Sequence, residues 1–175
     1  MKKLILTVTV LFIFGFINAQ DKTKKGDLLL EVNTGFGAGV GNTGIRFYSD
    51  ESGSSYSFGA EGGYFVIDNL ALKLGVGYGG DSPKVGTATS DLGYKLGAKY
   101  YIMGMIPVEV SYNGTSTSPS IAGQKNPSFV GIQAGYAVFL GDMVSLEPGI
   151  RYNNSLDTEA VKSGLQFNVG FVMHF

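Results

Sequence analysis

From Asp27 to Phe175 apolar and polar residues alternate with a period of two, the pattern of strands whose two faces meet different surroundings. Eight strands follow from it. The first, near Leu28 to Ala38, sets Leu28, Leu30, Val32 and Phe36 against Glu31, Asn33, Gly35 and Gly37. The second, near Tyr56 to Val66, sets Tyr56, Phe58, Ala60, Tyr64 and Val66 against Ser57, Gly59, Glu61 and Gly63. The third sets Leu70, Leu72, Leu74, Val76 and Tyr78 against Ala71, Lys73, Gly75 and Gly77. The fourth, near Leu92 to Ile102, sets Leu92, Tyr94, Leu96, Ala98 and Tyr100 against Gly93, Lys95, Gly97 and Lys99.

The fifth strand, Ile106 to Tyr112, sets Ile106, Val108, Val110 and Tyr112 against Pro107, Glu109 and Ser111. The sixth, Val130 to Leu140, sets Val130, Ile132, Ala134, Tyr136, Val138 and Leu140 against Gly131, Gln133, Gly135 and Ala137. The seventh sets Val144, Leu146, Ile150 and Tyr152 against Ser145, Glu147, Gly149 and Arg151. The eighth sets Leu165, Phe167, Val169, Phe171, Met173 and Phe175 against Gln166, Asn168, Gly170, Val172 and His174.

Connection lengths alternate as well. Asp68-Asn69, Met103-Gly104-Met105 and Gly141-Asp142 are tight turns, whereas the stretches 39–55, 79–90, 113–127 and 153–163 are long and rich in Gly, Ser, Thr and Asn. Short turns on one rim and long loops on the other, with an even strand number, describe an all-β, eight-stranded antiparallel up-and-down transmembrane β-barrel. A weak internal repeat aligns 70–78 with 144–152, each following a Gly-Tyr strand and a short turn. A secreted β-sandwich alternates too. It would not place Glu, Lys and small residues together on its core face without partners, nor leave the other face free of charge. Tyr56, Tyr78, Tyr112 and Tyr152 stand at the long-loop ends of the apolar faces, and Tyr64 and Tyr100 toward the turns, as two aromatic girdles would.

At this point the chain resembles the small outer-membrane β-barrel proteins of the OmpA/OmpX-like or OmpW-like kind, in the form common in Bacteroidetes. The stretch Gly63-Tyr64-Phe65-Val66-Ile67-Asp68-Asn69-Leu70-Ala71-Leu72 looks like that family's second hairpin. Phe167, Val169, Phe171, Met173 and Phe175 look like the C-terminal signal read by the barrel-assembly machinery. The resemblance spans the whole stretch after the leader and implies a topology and an outer-membrane location, with membrane lipid and lipopolysaccharide as surroundings. An OmpW-like member would carry an apolar lumen for greasy solutes, but the inner face here is mostly Glu, Lys, Ser, Asn and Gly.

Residues 1–19 fit a secretory signal peptide: Met1-Lys2-Lys3, an apolar stretch from Leu4 to Ile17, then Asn18-Ala19 before Gln20. An uncleaved anchor is the weaker alternative, because the apolar run is short for a spanning helix. The expected organisation is 1–19 signal peptide, 20–26 short lead-in and 27–175 barrel. Losing Lys2 and Lys3 leaves 11 basic against 14 acidic residues, a balance that argues against nucleic acid as partner. The absence of Cys excludes disulfides, thiol chemistry and a lipid-anchored cysteine.

The inward charges are Glu31, Glu61, Glu109 and Glu147, with Lys73, Lys95, Lys99 and Arg151. Four of each sign in a narrow lumen suggest a charge-paired network that fills it; a narrow ion or solute path is the alternative. No catalytic, cofactor-binding or metal site is expected. The only His, His174, faces inward at the chain end, and the sequence places no nucleophile beside it. Asp50-Glu51 and Asp157-x-Glu159 read as solvated loop charges rather than cation ligands. Gly35-x-Gly37-x-x-x-Gly41 has no helix after it to cap a phosphate. The leading expectation is a monomeric, non-enzymatic barrel, structural or narrowly porin-like. The alternative is a surface binding module acting through its long loops, and a barrel enzyme comes third.

Overall fold

A computed structural model describes residues 23–37, 43–119, 126–158 and 161–175. The leader 1–19, residues 20–22 of the lead-in, Ala38, Gly41 and Glu159 lie outside them. The strands are β1 (Leu28–Gly37), β2 (Arg46–Asp50), β3 (Gly53–Ile67), β4 (Leu70–Pro83), β5 (Thr89–Ile102), β6 (Ile106–Ser118), β7 (Ser128–Gly135), β8 (Val138–Phe139), β9 (Val144–Ser155) and β10 (Gly164–His174). Neighbours run in the order β1-β10-β9-β7-β6-β5-β4-β3, and β1 pairs β3 to close the ring. Eight strands thus form an antiparallel barrel, and β2 and β8 are additions to it. Closure removes the free edges that a sandwich would keep.

Period two sorts the side chains as the alternation demands. Outside stand exposed leucines, valines and aromatics such as Leu74, Val76, Leu96, Ile132 and Phe167. Among the described residues, twenty buried ones are polar or charged and only eight are hydrophobic. The molecule is apolar outside and polar inside, the reverse of a protein that folds in water, and the arrangement that hydrocarbon surroundings favour.

Three tight turns define one rim. Asn69 (φ 67°) and Gly104 (φ 73°) take up the left-handed conformation two of these turns need. The chain end is pinned to this rim, where Phe175 and Leu28 exchange backbone hydrogen bonds of 2.9 and 3.0 Å.

The other rim differs from the sequence reading. Much of the expected loop is strand: β3, β4, β5 and β6 run to Gly53, Pro83, Thr89 and Ser118, and the first loop contains β2. With 13 to 15 residues each, these strands exceed the ~9–11 residues that cross a bilayer, so the wall stands above the apolar belt on this side. The expected sixth strand is interrupted: β7 ends at Gly135, and β8 resumes at Val138 against β9. In the gap, Tyr136 and Ala137 turn their N–H groups to Pro148 and Met105 carbonyls.

The closing seam is short. β1 and β3 pair only over Leu28–Glu31 against Tyr64–Glu61, whereas β1 and β10 pair over nine positions. Above that seam Thr43, Gly44 and Ile45 fill the space between the two strands, with Ile45 N donating to Asn33 O at 2.9 Å. Gly44 suits this close approach, since a Cβ there would lie 2.5 Å from Asn33 O.

Candidate functional site

The inward residues form three layers. At the short-turn rim Leu29, Phe65, Ala71, Tyr101, Ala137 and Val172 pack into one apolar cluster, with Phe139 against it. His174 is walled by rings, its imidazole 5.5 Å from Phe139, 6.1 Å from Tyr101 and 6.5 Å from Phe65, centroid to centroid. The sequence reading has a mostly polar inner face, with Ala71, Ala137 and Val172 inward; the structure adds Leu29, Phe65 and Tyr101 to them as an apolar layer. The signal was present in phase: Leu29 lies two before Glu31, Tyr101 two after Lys99, and Phe65 four after Glu61.

Above this floor the eight inward charges are brought together. Lys73 Nζ reaches Glu31, Glu61 and Glu109 at 2.6, 2.7 and 2.7 Å. Lys95 Nζ bridges Glu61 at 2.8 Å and Glu109 at 2.6 Å. Lys99 joins Glu31 at 2.8 Å and also pairs with Glu147. Arg151 Nη1 reaches Glu109 at 3.0 Å. Every one of these side chains is at most 5% exposed, and each is linked to the others through shared partners. Four carboxylates and four cations leave the layer neutral.

Polar neighbours use up the remaining donors and acceptors, as burial requires. Asn33 Nδ2 donates to Glu31 at 2.8 Å, and Thr43 Oγ1 to Glu61 at 3.0 Å. Arg151 donates to Ser111 Oγ at 2.6 Å and Asn153 Oδ1 at 2.7 Å. Its guanidinium lies against Gly131, where an added Cβ would sit 2.0 Å from Nη2. The charged layer and the floor share Glu147, which accepts from Tyr101 OH at 2.8 Å and Ser145 Oγ at 3.1 Å. Lys99 Nζ lies 5.3 Å from the Tyr101 ring centre.

Two alternative chemistries can be tested against this geometry. Glu31, Glu61 and Glu109 bring carboxylate oxygens within 4.8 Å of one another, the spacing of a cation site. Lys73 Nζ already bonds all three, so its ammonium stands where a cation would, and the set does not fit a metal. Ser145 Oγ lies 3.1 Å from His174 Nε2, a pairing that sequence reasoning did not find. Ser145, however, donates to Glu147, and both side chains are buried, His174 among the rings of Phe65, Tyr101 and Phe139.

A third, amide-rich layer faces the long-loop rim. Asn113, Gln133, Gln166 and Asn168 line a recess together with Arg46 and Ser57 from the β2–β3 edge.

On the outer wall Tyr56, Tyr64, Tyr78, Tyr100, Tyr112 and Tyr152 are all exposed. Tyr94, Phe58 and Phe47 are exposed there too, and Tyr94 lies over Gly114 of the neighbouring strand. Phe167, Val169 and Phe171 are exposed along β10, as is Phe175 just past its end, and Met173 is half-buried. Asp50 serves its own turn. Its carboxylate accepts from Ser52 N, Ser52 Oγ and Tyr48 OH at 2.7, 2.5 and 2.7 Å. These bonds, with the Ser52 hydroxyl foremost, hold its pKa down to about 2 and push that of Tyr48 up.

No family model and no curated protein matches the sequence. Solved structures do. The N-terminal β-barrel domain of Pseudomonas aeruginosa OprF is 13% identical with a TM-score of 0.52, over 86% of this chain and 98% of that one. The Yersinia pestis outer membrane protein Ail, in a phospholipid bilayer nanodisc, is 7% identical with a TM-score of 0.53, over 86% and 100%. The outer membrane protein OprG from Pseudomonas aeruginosa is 12% identical with a TM-score of 0.50, over 87% and 97%. The fold is that of the small outer-membrane β-barrels.

Proposed function

We propose that this chain is a non-enzymatic barrel of a Gram-negative outer membrane that strengthens the membrane rather than conducting through it. The observation that carries the reading is the filled lumen: eight charges tied into one neutral network above a floor of Leu29, Phe65, Tyr101 and Val172. A solute would have to displace both layers. Desolvated, mutually paired charges are costly to separate, and the largely apolar floor offers water few partners.

In this reading the outward aromatics meet lipid headgroups and lipopolysaccharide, residues 1–19 direct export, and the last strand, ending on Phe175, engages the assembly machinery. The barrel works as a monomer. Deleting the gene tests it in cells. The expected phenotype is raised sensitivity to detergents and bulky antibiotics with unchanged uptake of small solutes. Lost uptake with an intact barrier would contradict the reading.

A second reading, surface binding, is favoured by the tall wall of β2–β6, which carries Phe47 at 76% and Val85 at 92% exposure beyond the apolar belt. Shortening the β2–β3 and β4–β5 connections tests it. It predicts lost attachment to a surface or partner with unchanged barrel assembly, and unchanged attachment would exclude it.

A further inference from the structure

The recess at the long-loop rim rests on the closed network and is lined above it by groups that the network does not use. Its charged lining residues are Glu61, Lys95, Arg151 and Arg46. The first three are committed to one another through Glu109 and Lys73. Because that network is neutral, Arg46 adds one positive charge that nothing below compensates. Among the described residues the Arg46 guanidinium has neither an ion pair nor a hydrogen bond, and only its backbone is engaged, in the ladder with β3. It is half-buried, on the inward side of β2 opposite Ser57, so its guanidinium joins the recess wall.

A second observation is independent of charge. Asn168 is 4% exposed and its Oδ1 accepts no hydrogen bond, although its amide nitrogen reaches Asn33 Oδ1 at 3.5 Å. A buried acceptor without a donor costs free energy unless a ligand brings one. Carboxamides and a hydroxyl from Asn113, Gln133, Gln166 and Ser57 also line the recess, with Ile45 as its apolar member. It offers about 40 Å³ to the centres of water-sized atoms, against the roughly 10–15 Å³ that one water takes.

We infer that this recess binds a small oxyanion that also carries an O–H group. The anionic oxygens pair with the Arg46 guanidinium, and the hydroxyl donates to Asn168 Oδ1. A fork of N–H donors suits a planar or tetrahedral oxyanion. Glu61 does not repel the ligand, because Lys73 and Lys95 neutralise it within 2.8 Å. Short hydroxycarboxylates and hydrogen phosphate share this chemistry.

The test is a titration of the folded full-length protein in detergent micelles, following side-chain amide and guanidinium NMR signals. Four probes suffice: glycolate, acetate, phosphate and sulfate at neutral pH. Glycolate should bind roughly tenfold more tightly than acetate, and phosphate roughly tenfold more tightly than sulfate, because only the first of each pair donates a hydrogen bond. Whichever of glycolate and phosphate binds tighter assigns the source as organic or inorganic. Arg46→Gln should weaken the tighter probe by about tenfold or more, and Arg46→Lys, which keeps the charge but loses the fork, should fall between the two. Asn168→Leu, close in volume, should bring glycolate down to the acetate level. Heat-modifiable migration on a gel verifies folding of each variant, and Arg46, at the rim, serves if Asn168→Leu does not fold. Equal affinity for glycolate and acetate in the unaltered protein, or binding untouched by Arg46→Gln, would overturn the inference.

Discussion

The lumen has two solid layers that close it by opposite physics. The floor, Leu29, Phe65, Ala71, Tyr101, Ala137 and Val172, excludes water by packing, and each contact is worth little alone. The layer above it, Glu31 to Arg151, excludes water only because every charge is matched. Apolar packing degrades gradually when one side chain shrinks. A buried charge cluster fails abruptly when one member is lost, since the partner left behind is desolvated and unpaired. The difference teaches where this barrel is tolerant and where it is not.

Lys73→Met should break the comparison most sharply. It leaves four buried carboxylates with three cations, and urea unfolding in micelles should show a loss of about 3–5 kcal/mol. Adding Glu109→Gln to that variant should recover part of the loss, and strict additivity of the two would deny that the charges act as a unit. Phe65→Ala in the floor should cost about 3 kcal/mol in the same assay. Phe65→Leu should be much milder, a forgiveness that no single substitution at Lys73 offers. Gly131→Ala, which pushes a methyl into the Arg151 guanidinium, should cost about 1–3 kcal/mol.

Much of this was legible in the sequence, for a physical reason. A closed barrel gives every strand two dissimilar surroundings, so side-chain parity reports the face directly. Glu61, Lys73, Lys95 and Glu109 stand out because charge on alternate positions has no apolar explanation. The floor was hidden because Phe65 and Tyr101 sit inside apolar runs, Tyr64-Phe65-Val66-Ile67 and Tyr100-Tyr101-Ile102, where the alternation between faces vanishes. Partnership was illegible as well. Ser145 and His174 are 29 residues apart and meet only through the pairing of β9 with β10. The strand β2 escaped notice because Arg46 to Asp50 is short, mixed in character and set in a loop, and its order depends on pairing with β3.

The smallest expected effect lies outside the lumen and serves as its control. Asp50 is fully solvent-exposed, and its depressed pKa means that its bonds to Ser52 and Tyr48 are intact above the ordinary carboxylate range. They should be lost only as pH falls through about 2. An NMR titration should therefore show the Asp50 carboxyl changing near 2 and not near its ordinary 3.8, with barrel unfolding unaffected by Asp50→Asn.

The closed lumen is tested most directly by single-channel recording of the folded, unaltered protein in planar bilayers. Two stacked plugs predict a silent membrane at moderate voltage, with steps emerging only when Phe65→Ala and Lys73→Met are combined. Stable, reproducible conductance steps from the unaltered chain would contradict the filled lumen and favour a conducting path.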